Sequence, residues 1–509
     1  MANAINIPKT HLIMGLSLPL AVLLGYFVAE PMELGSMAVV VFVLVVLSLP
    51  LLMKWYHPLL VLCWNAALCP AFLPGRPYLW AMLAFVGLLF AMLNRAVSAN
   101  ARFVIEPSVT KPLLLLAGVV IATGMVTGGF GVRSFGASRS GGVKYFYFLA
   151  AIAGYFVFTS RRIPPQRAAF YVVLFFISAL TYGLSDLAKV AGSKLDFLWL
   201  IIPPEYGVQA ATVAGVPDYN EVVAHHASAA MLGIALYSYL FARFGIRGLL
   251  DFTHPWRLLL LLLALAAGLL SAFRGFVVGA SLTFGVLFCL EGLHRTRYLP
   301  ALLVVVLLSS AVVLPYANKL PVSVQRSLSV LPGNFDYLAR ESAKSSSEWR
   351  VEMWRELLPE VPKRFFAGQG WGIDARQLDM SLTMKDTGDL YASTIMVGNY
   401  HNGPLSILLP FGIYGVVAFV WFLVAGVHVL HRNWKFGNPA LQGVNAFLLA
   451  AFVGRAISFF LIFGSLHSDM ALFTGLLGLG VALNGADPTR AQAEQPATSV
   501  DFSTQYIKA

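Results

Sequence analysis

Hydrophobic positions in this chain come in unbroken blocks, without the alternation of half-buried strands or the rhythm of amphipathic helices. Runs of roughly 18 apolar residues, enough to cross about 30 Å of hydrocarbon, recur from end to end. They begin near Leu12, Leu34, Pro58, Tyr78, Leu113, Tyr145, Ala168, Val222, Leu258, Phe276, Leu299, Pro404, Leu441 and Leu466. A backbone inside hydrocarbon must hydrogen-bond to itself, so each run is expected to be a helix. Alternating strands of about ten residues, as in outer-membrane barrels, are absent. The pattern predicts an all-α, polytopic integral membrane protein with about 12–14 transmembrane helices.

One interval interrupts the blocks. From about Asn318 to Asn402 the chain is water-compatible for roughly eighty residues, far more than joining two spans requires. It is expected to be a large, partly helical outer loop. Within it, SSSEWRVEMWRELLPEVPKR (345–364) reads as a helix. Ser345 and Glu348 fit a capping box, and Trp349, Met353 and Leu357 form an apolar stripe with Arg350 one residue off it. GQGWG (368–372) reads as a turn, since no strand and helix flank it as a dinucleotide fingerprint requires. The loop ends at HNG (401–403), where the next apolar run begins. Three regions are expected: an N-terminal bundle (1–214), a region holding the loop (215–485), its start set by a resemblance described below, and a polar, disordered tail (486–509).

Charge adds orientation. Only 12% of residues are charged, against about a quarter in soluble domains, yet the net charge is +11. The basic residues concentrate in short links after every even-numbered run: Lys54; Arg95, Arg102 and Lys111; Arg161, Arg162 and Arg167; Arg243, Arg247 and Arg257; Arg295 and Arg297; Arg432 and Lys435. By the positive-inside rule these links are cytoplasmic, both termini are cytoplasmic, and 318–402 faces outward. The positive charge is thus topological, and the expected partners are membrane lipids with their anionic headgroups, not nucleic acid. The first run lacks a basic start and a clear cleavage site, so no cleavable signal peptide is expected. Two outward places break the charge rule. GVRSFGASRSGGVK (131–144) carries Arg133, Arg139 and Lys144, and SAFRGF (271–276) carries Arg274. Positive charge where the rule disfavours it fits the holding of an anionic substrate.

Other reactive residues read as structural. Cys63, Cys69 and Cys289 all fall in apolar runs without ligand spacing. Asp374, Asp379, Asp386 and Asp389 are scattered, so neither a metal nor a cofactor is expected. The adjacent His225 and His226 point in different directions on a helix, and His467 near Asp469 reads as packing. Glu30 and Glu33, in the acidic first link, are a rival source of a general base.

Taken in order, SAFRG (271–275), EWRVEMWRELL (348–358), AGQGWG (367–372) and YHNGPLSILLPFGIYG (400–415), preceded by VPDYNEVVAHHASAAM (216–231), resemble the bacterial O-antigen ligase/polymerase family over roughly residues 215–430. Where that family often has a serine before the arginine, this chain has Phe273. The resemblance implies a glycosyltransferase of the bacterial inner membrane working on its periplasmic face. Its donor would be a glycan on undecaprenyl diphosphate. Its acceptor would be lipid A–core, a second lipid-linked glycan or, in some relatives, a protein. It further implies Arg274 and Arg350 on the diphosphate and His401 activating the acceptor hydroxyl, with Asn402 and Asn220 binding substrate; the misplaced outward charge adds Arg133, Arg139 and Lys144 as substrate-binding candidates. The alternative is a lipid-linked glycan transporter or flippase, which should show internal repeats and charges lining a path, such as Asp186, Lys189 and Arg455.

Overall fold

Apolar runs do become helices. The computed structural model describes residues 34–70, 73, 76–97, 103–131, 139–202, 226–374, 394–395 and 397–485, with positions 19, 21, 22 and 25. In order the helices are α1 (Leu34–Cys63), α2 (Leu79–Val97), α3 (Pro107–Thr127), α4 (Gly142–Phe158), α5 (Ala168–Ile177), α6 (Tyr182–Ala191), α7 (Ala227–Leu249), α8 (Pro255–Leu270), α9 (Arg274–Leu290) and α10 (Tyr298–Val313), followed by α11 (Val322–Leu328), α12 (Tyr337–Leu357), α13 (Glu360–Arg364), α14 (Gly403–Phe436), α15 (Gln442–Leu461) and α16 (Leu466–Asn484). Among the described residues the only strands are β1 (Arg139–Ser140) and β2 (Ile373–Asp374), two residues each and antiparallel, with Arg139 opposite Asp374. Among the described residues seven helical segments are long and apolar enough to cross a bilayer, while α4, α8, α9 and α10 are shorter apolar helices. The chain is an all-α, multi-pass membrane protein.

The chain divides into two units, Met1–Tyr56 and His57–Ala509. The first contains most of α1, and the second contains the remaining helices. The run expected to begin near Pro58 adds no span, because Pro58 lies inside α1 and the chain leaves the helix after Cys63. Prolines inside membrane helices are tolerated where the freed backbone groups are satisfied locally, so a proline was a poor marker of a helix start. Lys54 consequently sits within a helix and not in a link. Cys69 likewise lies in irregular chain, buried, its thiol donating to the Arg76 carbonyl at 2.9 Å, whereas Cys289 is exposed on α9.

In the second unit, α4 packs along α16, α3 along α14, α9 along α15, and α7 along α8. Trp64 fixes the first pair. Its indole fills the space where a side chain on Gly154 or Gly475 would stand, and its Nε1 donates to the Ala471 carbonyl at 3.0 Å. One end of these helices is tied by polar contacts. Arg432 pairs with the buried Glu106 at 2.6 Å, Asn445 and Asn484 exchange side-chain hydrogen bonds, and the Ile163 N–H donates to Ala482 at 2.8 Å. Arg161 and Arg162, in the link after α4, and Arg432 and Lys435, expected in a link but held in the last turns of α14, lie at this end.

The opposite end is shaped by a break in α14. Pro410 has no N–H to give, and Gly412 leaves helical geometry at φ +61°, ψ −164°. A break of this kind strands backbone groups that must find partners. The segment 365–370 supplies them: the N–H groups of Gln369 and Gly370 donate to Leu409 and Pro410 at 3.0 and 2.9 Å, and Ile413 donates to Phe365 at 2.7 Å. Only glycine fits at 368, where a Cβ would stand 2.0 Å from the Pro410 oxygen. The glycine turn thus plugs a helix kink and brings the polar segment that precedes it down onto the bundle.

Candidate functional site

The loop's main helix begins earlier than its local signals indicate. α12 starts at Tyr337, capped by Asp336, whose carboxylate accepts the Leu338 N–H. Ser345 is mid-helix, bonded back to the Ser342 carbonyl, and Glu348 faces Lys344 at 3.8 Å. The expected capping box is therefore absent. Ala339, Ser342 and Ala343 are buried, and that packing extends the helix upstream of the serines. The apolar stripe does form: Met353 and Leu357 join Tyr400, Leu405 and Leu409 in a core, with Trp349 and Trp354 packed against it.

With α12 seated this way, Arg274 and Arg350 converge. Arg274 opens α9 two residues after Ala272, which is fully buried in a left-handed conformation at φ +62°. Its guanidinium donates to Ser347 and Ser346 of α12 at 3.1 and 3.3 Å. Arg350 stands on the same helix, its guanidinium 5.7 Å from the centre of the Phe463 ring. Among the described residues, neither Arg274 nor Arg350 pairs with a carboxylate. Burial and then the Arg274 charge hold the Arg350 guanidinium below its ordinary proton affinity.

A third arginine completes the cluster, and sequence reasoning missed it. Arg326 on α11 is buried, donating from Nε to Ser342 at 2.9 Å and from Nη1 to the Ala272 carbonyl at 2.6 Å. Burial first, then Arg274 and Arg350, pull its pKa down to about 10. Nothing local distinguishes Arg326 from the loop's other arginines. Its burial comes from docking α11 under the end of α8, where Ser327 also bonds the Leu269 carbonyl at 2.8 Å.

His401 lies beside this cluster. Its ring stands edge-on to Trp349 (5.5 Å between centres) and tilted against Phe463 (5.1 Å). Its backbone is left-handed at φ +50°, a conformation costing a non-glycine residue about 1–2 kcal/mol. The next residue, Asn402, caps α14 by accepting the Leu405 N–H on its side-chain oxygen at 3.0 Å. The ring Nδ1 is buried and has no partner among the described residues. Burial, followed by the Arg350 charge, lowers the imidazole pKa to about 4. The ring is therefore neutral at physiological pH and free to accept a proton or a hydrogen bond.

Phe463 touches both Arg350 and His401 and sits on the short link between α15 and α16. Asp469 holds that link: it accepts the Ser465 N–H at 2.9 Å and pairs with Arg455. Arg455, one of the charges a transport path would need, is thus committed to a structural pair. His467 bonds Ser465 at 3.0 Å and packs near Trp371, in keeping with a packing role.

The remaining expected residues have different fates. Lys144 turns to backbone, donating to the carbonyls of Val397 and Gly398, the latter at 3.2 Å. Arg139 is described in backbone only, in β1. Arg133, Asn220, Glu30, Glu33, Asp379, Asp386 and Asp389 lie outside the described residues. Among the described residues no three histidine, cysteine, aspartate or glutamate side chains gather. The arrangement as a whole offers concentrated positive charge beside a neutral imidazole, which suits an anion with more than one charge next to a group that must lose a proton.

Comparison with known families bears on residues from α8 to α14. Residues 258–420 match the family model described as O-antigen ligase, which supports the O-antigen ligase/polymerase family. A search of curated proteins returns no match.

Proposed function

On the premise that residues 258–420 form an O-antigen ligase domain within a multi-pass membrane protein, we propose that this chain transfers or polymerises glycan from an undecaprenyl-diphosphate donor at the periplasmic face of the bacterial inner membrane. The observation that carries the reading is the meeting of Arg274, Arg326 and Arg350 beside His401, with Arg274 and Arg350 lacking carboxylate partners among the described residues. Structural arginines are normally neutralised by acids; arginines left to repel one another fit a site awaiting an anion.

In this reaction the acceptor hydroxyl attacks the anomeric carbon. A new C–O bond forms, the bond to the diphosphate oxygen breaks, and undecaprenyl diphosphate leaves with the electron pair. Arg274 and Arg350 stabilise the charge growing on the departing phosphate. His401 takes the acceptor proton. A base with a pKa of about 4 is weak, but an anion on Arg350 offsets part of what depresses it, so donor binding itself raises the basicity of His401. The acceptor is lipid A–core in a ligase or a second lipid-linked glycan in a polymerase, and no metal takes part. The site lies at the end of the bundle opposite Glu106, Arg432 and the basic links, which supports an outward site and cytoplasmic basic links.

Purified protein in nanodiscs, given an undecaprenyl-diphosphate glycan and either acceptor, tests the reading. Transfer without a membrane gradient and with chelator present is expected. Gradient-dependent movement of the donor without transfer would instead establish a transporter.

A further inference from the structure

Lys144 is the outward cation whose observed contacts least resemble a substrate ligand's. Its ammonium lies against two converging backbone carbonyls, Val397 and Gly398. These belong to a tight turn in which the Gly398 N–H donates to Ile395 at 2.9 Å and the Asn399 N–H to Thr394 at 3.1 Å. Gly398 has φ +66°, and three residues later His401 takes its own left-handed conformation. No other described side chain bonds these two carbonyls.

The intervening Tyr400 is pinned from both sides. Its carbonyl accepts the Trp354 indole N–H at 2.8 Å, and its hydroxyl accepts the Gln369 amide at 3.0 Å. The direction in which the chain enters Tyr400 is therefore set by Val397–Gly398, and that pair is held by Lys144. The same first turn of α4 also grips the loop's other stem, because the Tyr145 hydroxyl accepts the Trp371 N–H at 2.9 Å. The β1–β2 pairing joins residues 139–140 to 373–374 beside it. A single helical turn thus fixes the chain both before residue 375 and just ahead of the imidazole.

We propose that Lys144 is a positioning residue: it sets the Val397–His401 backbone and through it the His401 imidazole, without touching substrate. A charge-assisted bond to two carbonyls is the stronger kind of tether, and it acts on a stretch that holds two left-handed residues, Gly398 and His401. This inference rests on His401 being the acceptor-activating group.

The experiment uses full-length protein in nanodiscs with Lys144→Met, Lys144→Arg and His401→Ala. Three quantities are read: kcat with a lipid-diphosphate glycan, affinity for undecaprenyl diphosphate, and hydrogen exchange of the 397–402 amides. Lys144→Met is expected to lower kcat about tenfold to a hundredfold, the cost of misplacing a reacting group by around an ångström. Affinity should stay unchanged and exchange should quicken. Lys144→Arg, which keeps the charge in a bulkier head, should recover part of kcat and remains informative should the methionine variant fail to accumulate. A fall in affinity with unaltered exchange would make Lys144 a substrate ligand and overturn the proposal, as would quickened exchange with wild-type kcat. His401→Ala separates the two readings. Full turnover there overturns the role of His401, whereas loss in His401→Ala beside full turnover in Lys144→Met overturns the positioning role alone.

Discussion

Arg350→Ala separates an anion site from a structural arginine. Among the described residues Arg350 makes no hydrogen bond or ion pair; it meets the Phe463 ring and the repulsion of Arg274 and Arg326. Removing it therefore sacrifices little native structure and relieves like-charge repulsion inside a partly buried cluster. The melting temperature should hold or rise. Activity should behave oppositely, because a charge-assisted contact made mainly in the transition state is worth about 3 kcal/mol, on the order of a hundredfold in rate. A third readout follows from His401. Burial is the larger cause holding that imidazole near pH 4 and the Arg350 charge the second, so in Arg350→Ala the pKa rises by the part that Arg350 contributes. The acid limb of the residual activity should move up in pH accordingly. The assay is a pH series of glycan transfer at saturating acceptor, paired with a melt of the same preparations. Wild-type turnover would remove Arg350 from the site. Lost activity together with a lower melting temperature would make it structural.

Other substitutions examine the remaining parts. Arg274→Lys should recover little of the activity lost in Arg274→Ala, since an ammonium cannot reproduce the planar fork that meets both Ser346 and Ser347; full rescue would argue for a point charge alone. His401→Ala should lose transfer yet bind undecaprenyl diphosphate, measured by titration, because the arginines remain. In the wild type, His401 contributes stability above its unfolded pKa of about 6.5, and this is lost as pH falls toward 4, where the unfolded chain binds a proton that the folded one refuses; His401→Gln should flatten that part of the melting profile. Gly368→Ala should lower the melting temperature sharply, since its Cβ would collide with the Pro410 backbone. Cysteines placed near Lys344 and near Arg432 should label from opposite sides of the membrane, and same-side labelling would overturn the placement of the site.

Sequence by itself determined the solvent of this fold and the position of its working loop. Blocks of apolar residues leave a backbone no choice but helices, and a long polar interval among them has to lie outside the hydrocarbon. The charge rule also singled out Arg274, and Arg350 and His401 were singled out by the family resemblance of the stretches that carry them. What sequence did not determine are the features that depend on partners distant along the chain. Pro58 was legible as a possible helix start, yet only the folded chain shows α1 running through it. Ser345 and Glu348 satisfied a local capping rule that burial of Ala339 and Ala343 overrode. Arg326 resembled any arginine of a hydrophilic loop until α11 docked beneath α8 and buried it against the Ala272 carbonyl. Lys144 was legible as an outward charge, but not as a hand on the chain more than two hundred residues away. A residue's charge and helical propensity are local properties; its burial and its hydrogen-bond partner are set by which segments tertiary packing brings together.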